Sequence, residues 1–164
     1  QRIKPYQALV DFITNFPKKK GLYLYGDFGV GKSFMLAAMA NELAKKGIST
    51  TLLHYPTFIS DLDFDNAKVW VNEIKASQVL VLDDIGGESV TSWSRDDILL
   101  PILDGRMEGK KLTIFTSNYR MQELKEKWAL GNGKQMEPMA AERLLERIST
   151  LSTEIFVKGN SRRK

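Results

Sequence analysis

Cysteine is absent from this sequence of 164 residues, and histidine occurs once, at His54. Disulfides and cysteine-ligated zinc are therefore excluded, and one imidazole cannot build a histidine-rich metal centre. No apolar run approaches the roughly 18 residues that a membrane-spanning helix needs. These absences favour a reducing, cytoplasmic setting. We expect His54 to pack within a strand rather than to bind a metal.

The rest of the composition is ordinary for a folded domain. Hydrophobic residues make up 43% of the sequence and charged residues 27%, and the net charge of +4 only mildly favours anionic partners. Because the sequence begins at Gln1 without an initiator methionine, we expect a fragment of a longer protein. We assign residues 1–164 to one domain, with a leading helix at 5–16, a core at 22–157 and a basic tail at 158–164.

Apolar patterning divides the chain into alternating strands and helices. Strands are predicted at 22–25, 50–54, 79–82, 112–116 and 154–157. Helices are predicted at 5–16, from the glycine-rich loop to about Lys46, after Pro56, from an N-cap at Ser94 to about Met107 with a kink or break at Pro101, at 121–128 and at 138–151. This alternation predicts an α/β layered domain with a mostly parallel central sheet.

A glycine-rich loop follows the first predicted strand. Residues 26–33 read GDFGVGKS and fit the spacing G-x-x-x-x-G-K-[ST], whose glycines and backbone N–H groups cradle phosphates. Lys32 is expected to reach the β- and γ-phosphates, and Ser33 to bind Mg²⁺. The predicted nucleotide-binding set is Gly26, Asp27, Phe28, Gly29, Val30, Gly31, Lys32, Ser33 and Phe34. We therefore predict ATP with Mg²⁺ as the ligand.

Polar side chains end two further strands, at the same edge of a parallel sheet as the glycine loop. Asp83 is expected to hold Mg²⁺ through water, and Asp84 to orient or deprotonate an attacking water. The alternative is a pair of turn-forming carboxylates. Asn118 is expected either to hydrogen-bond the γ-phosphate or the attacking water, or to cap a turn. Glu88 is a candidate helper without an assigned role.

Two arginines, Arg143 and Arg147, lie four residues apart, off the apolar stripe of the last predicted helix. Like charges at this spacing are mildly unfavourable unless something negative faces them. The negative charge of Glu146 partly compensates the positive charge of Arg143, which supports a solvent-exposed helix face. The alternative is an arginine finger inserted into a neighbouring subunit's nucleotide, a group worth about 10³- to 10⁵-fold in rate. Hydrolysis would then depend on assembly.

The order of these motifs resembles the AAA+ ATPase domain of bacterial replicative-helicase loaders of the DnaI and DnaC type, which are related to DnaA and to IstB-like transposition ATPases. Walker A, Walker B, sensor 1 and the arginine-finger box are matched, in that order, by 26–33, 83–86, 116–118 and 142–147. The resemblance implies a P-loop NTPase of AAA+ type, a three-layer sandwich without a helical lid. By position Arg147 matches the finger, with Arg143 beside it, and Arg163 or Arg162 matches the sensor-2-like basic ending.

The same resemblance implies the function. It implies slow, assembly- or DNA-dependent ATP hydrolysis, head-to-tail self-assembly, and single-stranded DNA as a partner. It also implies a primosome component that helps to load the replicative helicase at the initiation of DNA replication. The family's N-terminal helicase-binding region is missing from residues 1–164, so we expect helicase contact through that region.

Other readings of the sequence stay open. An IstB-like transposition ATPase would differ from a helicase loader only in its partner. An ATP-switched DNA-binding module would differ from it in having little ATP turnover. A small-molecule kinase should show acceptor-binding residues and a basic lid. Lysines at 18–20, 45–46 and 110–111 are expected at the sheet edge opposite the nucleotide. They form either a solvated edge, partly explained by helix dipoles, or a basic face for DNA.

Overall fold

The computed structural model describes residues 5–16, 20–26, 31–130 and 136–158. Its strands are β1 (Gly21–Tyr25), β2 (Thr50–His54), β3 (Val79–Asp83), β4 (Leu112–Ser117) and β5 (Ser152–Phe156). Within the described residues they form one sheet in the order β2-β3-β4-β1-β5, and every pairing is parallel. The prediction of an α/β domain with a parallel central sheet is confirmed.

Helices cover both faces of this sheet. They are α1 (Pro5–Thr14), α2 (Lys32–Lys45), α3 (Tyr55–Asp61), α4 (Phe64–Ala76), a π-helical segment (Trp93–Leu99) that continues into α5 (Leu100–Glu108), α6 (Met121–Ala129) and α7 (Pro138–Leu151). The stretch after Pro56 is thus two helices, and β5 begins before the predicted Glu154. Within the described ranges, no helix is long and apolar enough to cross a membrane.

The alternation of side chains along β3 creates two hydrophobic cores. Val79 and Val81 pack with α1 and α2 on one face of the sheet. Leu80 and Leu82 pack with α4, α5, α6 and α7 on the other face. All four side chains are fully buried, as expected for a central parallel strand. The result is a three-layer arrangement with the sheet in the middle.

The prediction that Ser94 caps a helix is wrong. The Thr91 N–H donates to Ser94 Oγ (3.1 Å), and the Ser94 N–H donates to Thr91 Oγ1 (3.0 Å), so Thr91 is the capping residue. The turns that follow are wide, and the Leu100 N–H donates to the carbonyl of Arg95, five residues back. Pro101 has no N–H to donate to the turn before it, yet the helix continues through it without a break.

Parallel pairing brings the carboxyl ends of the strands to one edge of the sheet. Tyr25 of β1 is in register with Ser117 of β4, and Leu82 of β3 is in register with Phe115 of β4. The residues that follow these three strands therefore meet at this edge. We call it the phosphate edge, because the glycine-rich loop begins there.

Candidate nucleotide-binding site

The side chain of Lys32 links the glycine-rich loop to the neighbouring strand. Its Nζ donates to the carbonyl of Gly26 (2.7 Å) and to Oδ1 of Asn118 (3.2 Å). Gly26, directly after β1, donates its own N–H to the carbonyl of Ser117 (3.1 Å). Gly31, directly before α2, has φ 91°, a conformation that glycine adopts without steric cost. The structure thus places Gly26, Lys32 and Asn118 together at the phosphate edge.

The rest of the predicted nucleotide-binding set is only partly described. Ser33 and Phe34 lie exposed on the first turn of α2, next to Lys32, and the Phe34 side chain is 73% exposed. Residues 27–30 and the arginines 162–163 lie outside the described residues. The first turn of a helix presents unpaired N–H groups and a partial positive charge, which suits a phosphate bound beside Lys32.

Thr116 of β4 joins the two candidate carboxylates. Its hydroxyl donates to Oδ1 of Asp83 and accepts the N–H of Asp84 (2.8 Å). The backbone extends the connection, since the Ile85 N–H donates to the Thr116 carbonyl (2.9 Å). The sequence alone does not predict this role of Thr116. A threonine at the end of a predicted buried strand was the available signal, because a buried hydroxyl requires a hydrogen-bond partner.

Asp84 is held in an unusual conformation close to Asp83 and His54. Its φ of 60° is in the left-handed region, which Asp tolerates better than most residues. Burial is the main cause that raises the pKa of Asp84 above its ordinary value, and the charge of Asp83 raises it further, whereas His54 and Lys32 lower it. A carboxylate with a raised pKa is a stronger base for an attacking water.

The prediction that His54 packs within a strand is wrong. His54 ends β2, its side chain is half exposed, and its Nε2 lies 3.7 Å from Oδ2 of Asp84. Its other nitrogen, Nδ1, is 2.8 Å from Oγ1 of Thr57. The parallel register pairs His54 with Asp83, which places the imidazole next to the following acid. Sequence periodicity contains no information about this register.

Glu88 stabilises the turn that follows the two acids. The side chain is buried, and its oxygens accept the Gly86 N–H (2.7 Å) and the Trp128 indole N–H (3.0 Å). Gly86 has φ 94°, and a Cβ there would lie 2.6 Å from a side-chain carbon of Leu124. Glu88 therefore connects the loop after β3 to α6, and its contacts are structural.

The two arginines of α7 lie in different environments. Arg147 Nε donates to Oδ1 of Asp104 on α5 (2.8 Å), a hydrogen bond that raises the pKa of Arg147. Arg143 is exposed. The pKa of Asp96 is lowered first by its hydrogen bond from Arg95 and also by the charge of Arg143. Among the described residues, the hydrogen-bond partners of Arg147 are Asp104 and the Arg143 carbonyl, and both lie outside the phosphate edge.

Sequence comparison assigns the family. Residues 2–164 match the family described as IstB-like ATP binding protein. This chain belongs to that family. The match covers almost the whole sequence, including Lys32 and the two carboxylates at the end of β3. An IstB-like domain with an all-parallel five-stranded sheet and a glycine-rich loop after β1 is a P-loop fold of AAA+ type.

Three relatives of this IstB-like domain are informative. The replicative helicase loader DnaI of Bacillus subtilis (strain 168) is 41% identical over 169 residues, which cover 99% of this chain and 54% of DnaI. A crystal structure of DnaI has a TM-score of 0.83 and 39% identity, covering 94% of this chain and 80% of that chain. An insertion sequence IS1162 protein of Pseudomonas fluorescens is 29% identical over 104 residues, or 61% of this chain and 44% of that protein. The chain spans about half the length of the two full-length relatives, the Bacillus subtilis DnaI and the IS1162 protein.

The donors at the phosphate edge of the IstB-like domain fit Mg²⁺. Within the described ranges, no group of three or more His, Asp or Glu side chains is placed to hold a metal. Mg²⁺ in nucleotide sites needs only one or two protein ligands, because phosphates and water supply the rest. The Thr116 bond uses only Oδ1 of Asp83. Oδ2 of Asp83 and the exposed hydroxyl of Ser33 are suitable oxygen ligands.

Proposed function

We propose that this chain is the ATPase domain of a replicative-helicase loader, which binds ATP with Mg²⁺ and hydrolyses it slowly unless it is assembled or bound to DNA. The contact of Lys32 Nζ with both the Gly26 carbonyl and Asn118 Oδ1 is the observation that carries the catalytic part. It joins the glycine-rich loop to the strand whose Thr116 orders the two acids. Similarity to DnaI over 99% of the chain supports the loading role.

Each residue at the phosphate edge has a distinct part in this proposal. Lys32 exchanges its contacts with the protein for the β- and γ-phosphate oxygens. Ser33 and Asp83 would hold Mg²⁺, which would neutralise charge on the phosphates. Asp84 accepts a proton from the attacking water, and Asn118 orients that water or the γ-phosphate.

Arg147 completes the site of a neighbouring subunit. It lies nine residues after Pro138, the first residue of α7, and therefore about 13 Å along the helix. Among the described residues, its hydrogen-bond partners are Asp104 of α5 and the Arg143 carbonyl of α7. An arginine that acts in trans makes the contact between subunits heterologous, so the assembly is head-to-tail and forms rings or open spirals. Single-stranded DNA and the replicative helicase are the proposed partners.

A transposition ATPase is the second candidate, and the IS1162 relative is the observation that favours it. That relative matches 61% of the chain at 29% identity, whereas DnaI matches 99% at 41%. Comparing single-stranded with duplex oligonucleotides of the same sequence separates the two functions. A loader acts on opened DNA and should respond to the single strand, whereas a transposition factor that selects a target duplex should respond to the duplex.

The testing experiment measures the steady-state ATPase rate against protein concentration, with and without single-stranded DNA. We expect the rate per subunit to rise with concentration or DNA and to fall by about 10³-fold or more in Arg147→Ala. Arg120→Ala is the matched control, because Arg120 is also an arginine near an acid but is 67% exposed at the start of α6. A rate that is independent of concentration, of DNA and of Arg147 would contradict the assembled ATPase.

A further inference from the structure

Arg147 is anchored within its own subunit by two hydrogen bonds. Its Nε donates to Oδ1 of Asp104 (2.8 Å), and its Nη1 donates to the Arg143 carbonyl (3.2 Å). Asp104 belongs to α5 and Arg147 to α7, two helices that pack against each other. For the remaining terminal nitrogen, Nη2, the structure records no partner among the described residues.

The anchoring distinguishes Arg147 from its neighbour one turn earlier. The Arg147 side chain is 24% exposed and that of Asp104 is 50% exposed, so the pair lies at the protein surface. Arg143 is exposed, and the described contacts include no hydrogen bond from its guanidinium. An exposed ion pair contributes little to stability. We therefore expect the ion pair with Asp104 to orient the Arg147 side chain and to add little to the stability of the fold.

Guanidinium geometry makes a bond at Nε an effective anchor. The five N–H donors lie in one rigid plane, so fixing Nε also fixes the directions of Nη1 and Nη2. A flexible arginine would lose side-chain entropy each time it reached a phosphate in another subunit. An arginine already held at Nε avoids much of that loss and presents its terminal nitrogens for bidentate binding of phosphate oxygens.

We propose that Asp104 is a positioning residue, which holds Arg147 at Nε so that its terminal nitrogens are presented to the nucleotide of the neighbouring subunit. This inference rests on the proposed function, in which Arg147 acts in trans. Asp104 touches neither nucleotide nor Mg²⁺ in this scheme. Its loss should therefore lower kcat of the assembled protein and leave KM for ATP unchanged.

A mixing experiment separates the donor of the arginine from the site that receives it. Arg147→Ala keeps its own nucleotide site but lacks the arginine, whereas Asp84→Asn keeps the arginine but lacks the proposed base. Each is assayed alone and then mixed with the other, with ATP and single-stranded DNA. Restored hydrolysis arises where the site of the first variant meets Arg147 of the second. Asp104→Ala is then added to the Asp84→Asn chain alone.

We expect Asp104→Ala in the donor to lower the restored kcat about tenfold, the equivalent of one charged hydrogen bond, with KM unchanged. Asp104→Asn should lower it less, because its amide oxygen still accepts from Nε. Glu108→Ala is the matched control, since Glu108 is an exposed acid one turn later on α5, and it should have no effect. Thermal melting of each donor checks that the fold is kept.

The outcomes distinguish this inference from the proposed function. Full restored activity with Asp104→Ala, or a higher rate, overturns the positioning role and leaves the trans arginine intact. An equal loss with Glu108→Ala shows a general charge effect and also overturns it. If the parent mixture restores nothing, the trans-acting arginine of the proposed function fails, and the role of Asp104 fails with it.

Discussion

Replacing Thr116 with valine tests the hydrogen bonds that join the strands of the phosphate edge. Valine has nearly the same shape but can neither donate to Asp83 nor accept from the Asp84 N–H. A hydrogen bond to a charged group contributes about 1.5–3 kcal/mol, and a buried N–H left unpaired costs about 1–3 kcal/mol. Allowing for the apolar gain of valine at this fully buried position, we expect a loss of about 3 kcal/mol in the free energy of unfolding.

For a domain of this size that loss corresponds to a fall of about 6–12 °C in Tm. ATP hydrolysis should fall as well, because both acids lose their anchor, whereas nucleotide binding through Lys32 should be kept. Thermal melting, binding of a fluorescent ATP analogue and steady-state ATPase measure the three quantities. Thr116→Ser keeps the hydroxyl and is the control. A Thr116→Val protein with wild-type Tm and rate would refute the role of this hydroxyl.

Further changes test other contacts, with one measurement each. Asp84→Asn should abolish hydrolysis while a fluorescent ATP analogue still binds; a rate above about one tenth of wild type would exclude Asp84 as the base. Burial raises the pKa of Glu88 above its ordinary 4.5, so the folded state binds a proton at a higher pH than the unfolded state does. The stability of the folded state should therefore rise as pH falls towards 4.5. Glu88→Gln should lose that rise in urea titrations, and an unchanged pH dependence would contradict it. The fully buried guanidinium of Arg106 donates to four backbone carbonyls and to Thr113. Arg106→Leu should therefore lower the free energy of unfolding by about 3–5 kcal/mol, measured as a lower urea midpoint. An unchanged midpoint would show that those bonds are replaced.

The elements of the fold were predictable because their signals are local. The apolar run of β3 and the spacing of GDFGVGKS each lie within a few residues, and α7 has the predicted bounds. The start of the helix before Pro101 was predicted wrongly, because Thr91 also satisfies the capping pattern and the π-helical widening has no local sequence signal.

The contacts between strands were less predictable because they depend on register. His54 lies beside Asp84 only because β2 pairs with β3 so that His54 is opposite Asp83. Glu88 and Trp128 are 40 positions apart and meet where α6 packs behind the turn after β3. Neither contact leaves a periodic pattern. A buried polar residue such as Thr116 indicates that a partner exists but does not identify it.

Strand order explains which groups meet at the phosphate edge. β4 lies between β1 and β3, so Asn118 and Thr116 reach Lys32 on one side and the two acids on the other. Lys32 of α2 places a positive charge at this edge. Arg147 instead lies on α7, bound to α5, where its recorded contacts do not include this edge. In the proposed function, one subunit binds the nucleotide through Lys32 and supplies Arg147 to its neighbour. Under the proposed function, control of hydrolysis by assembly would follow from the position of Arg147 on α7.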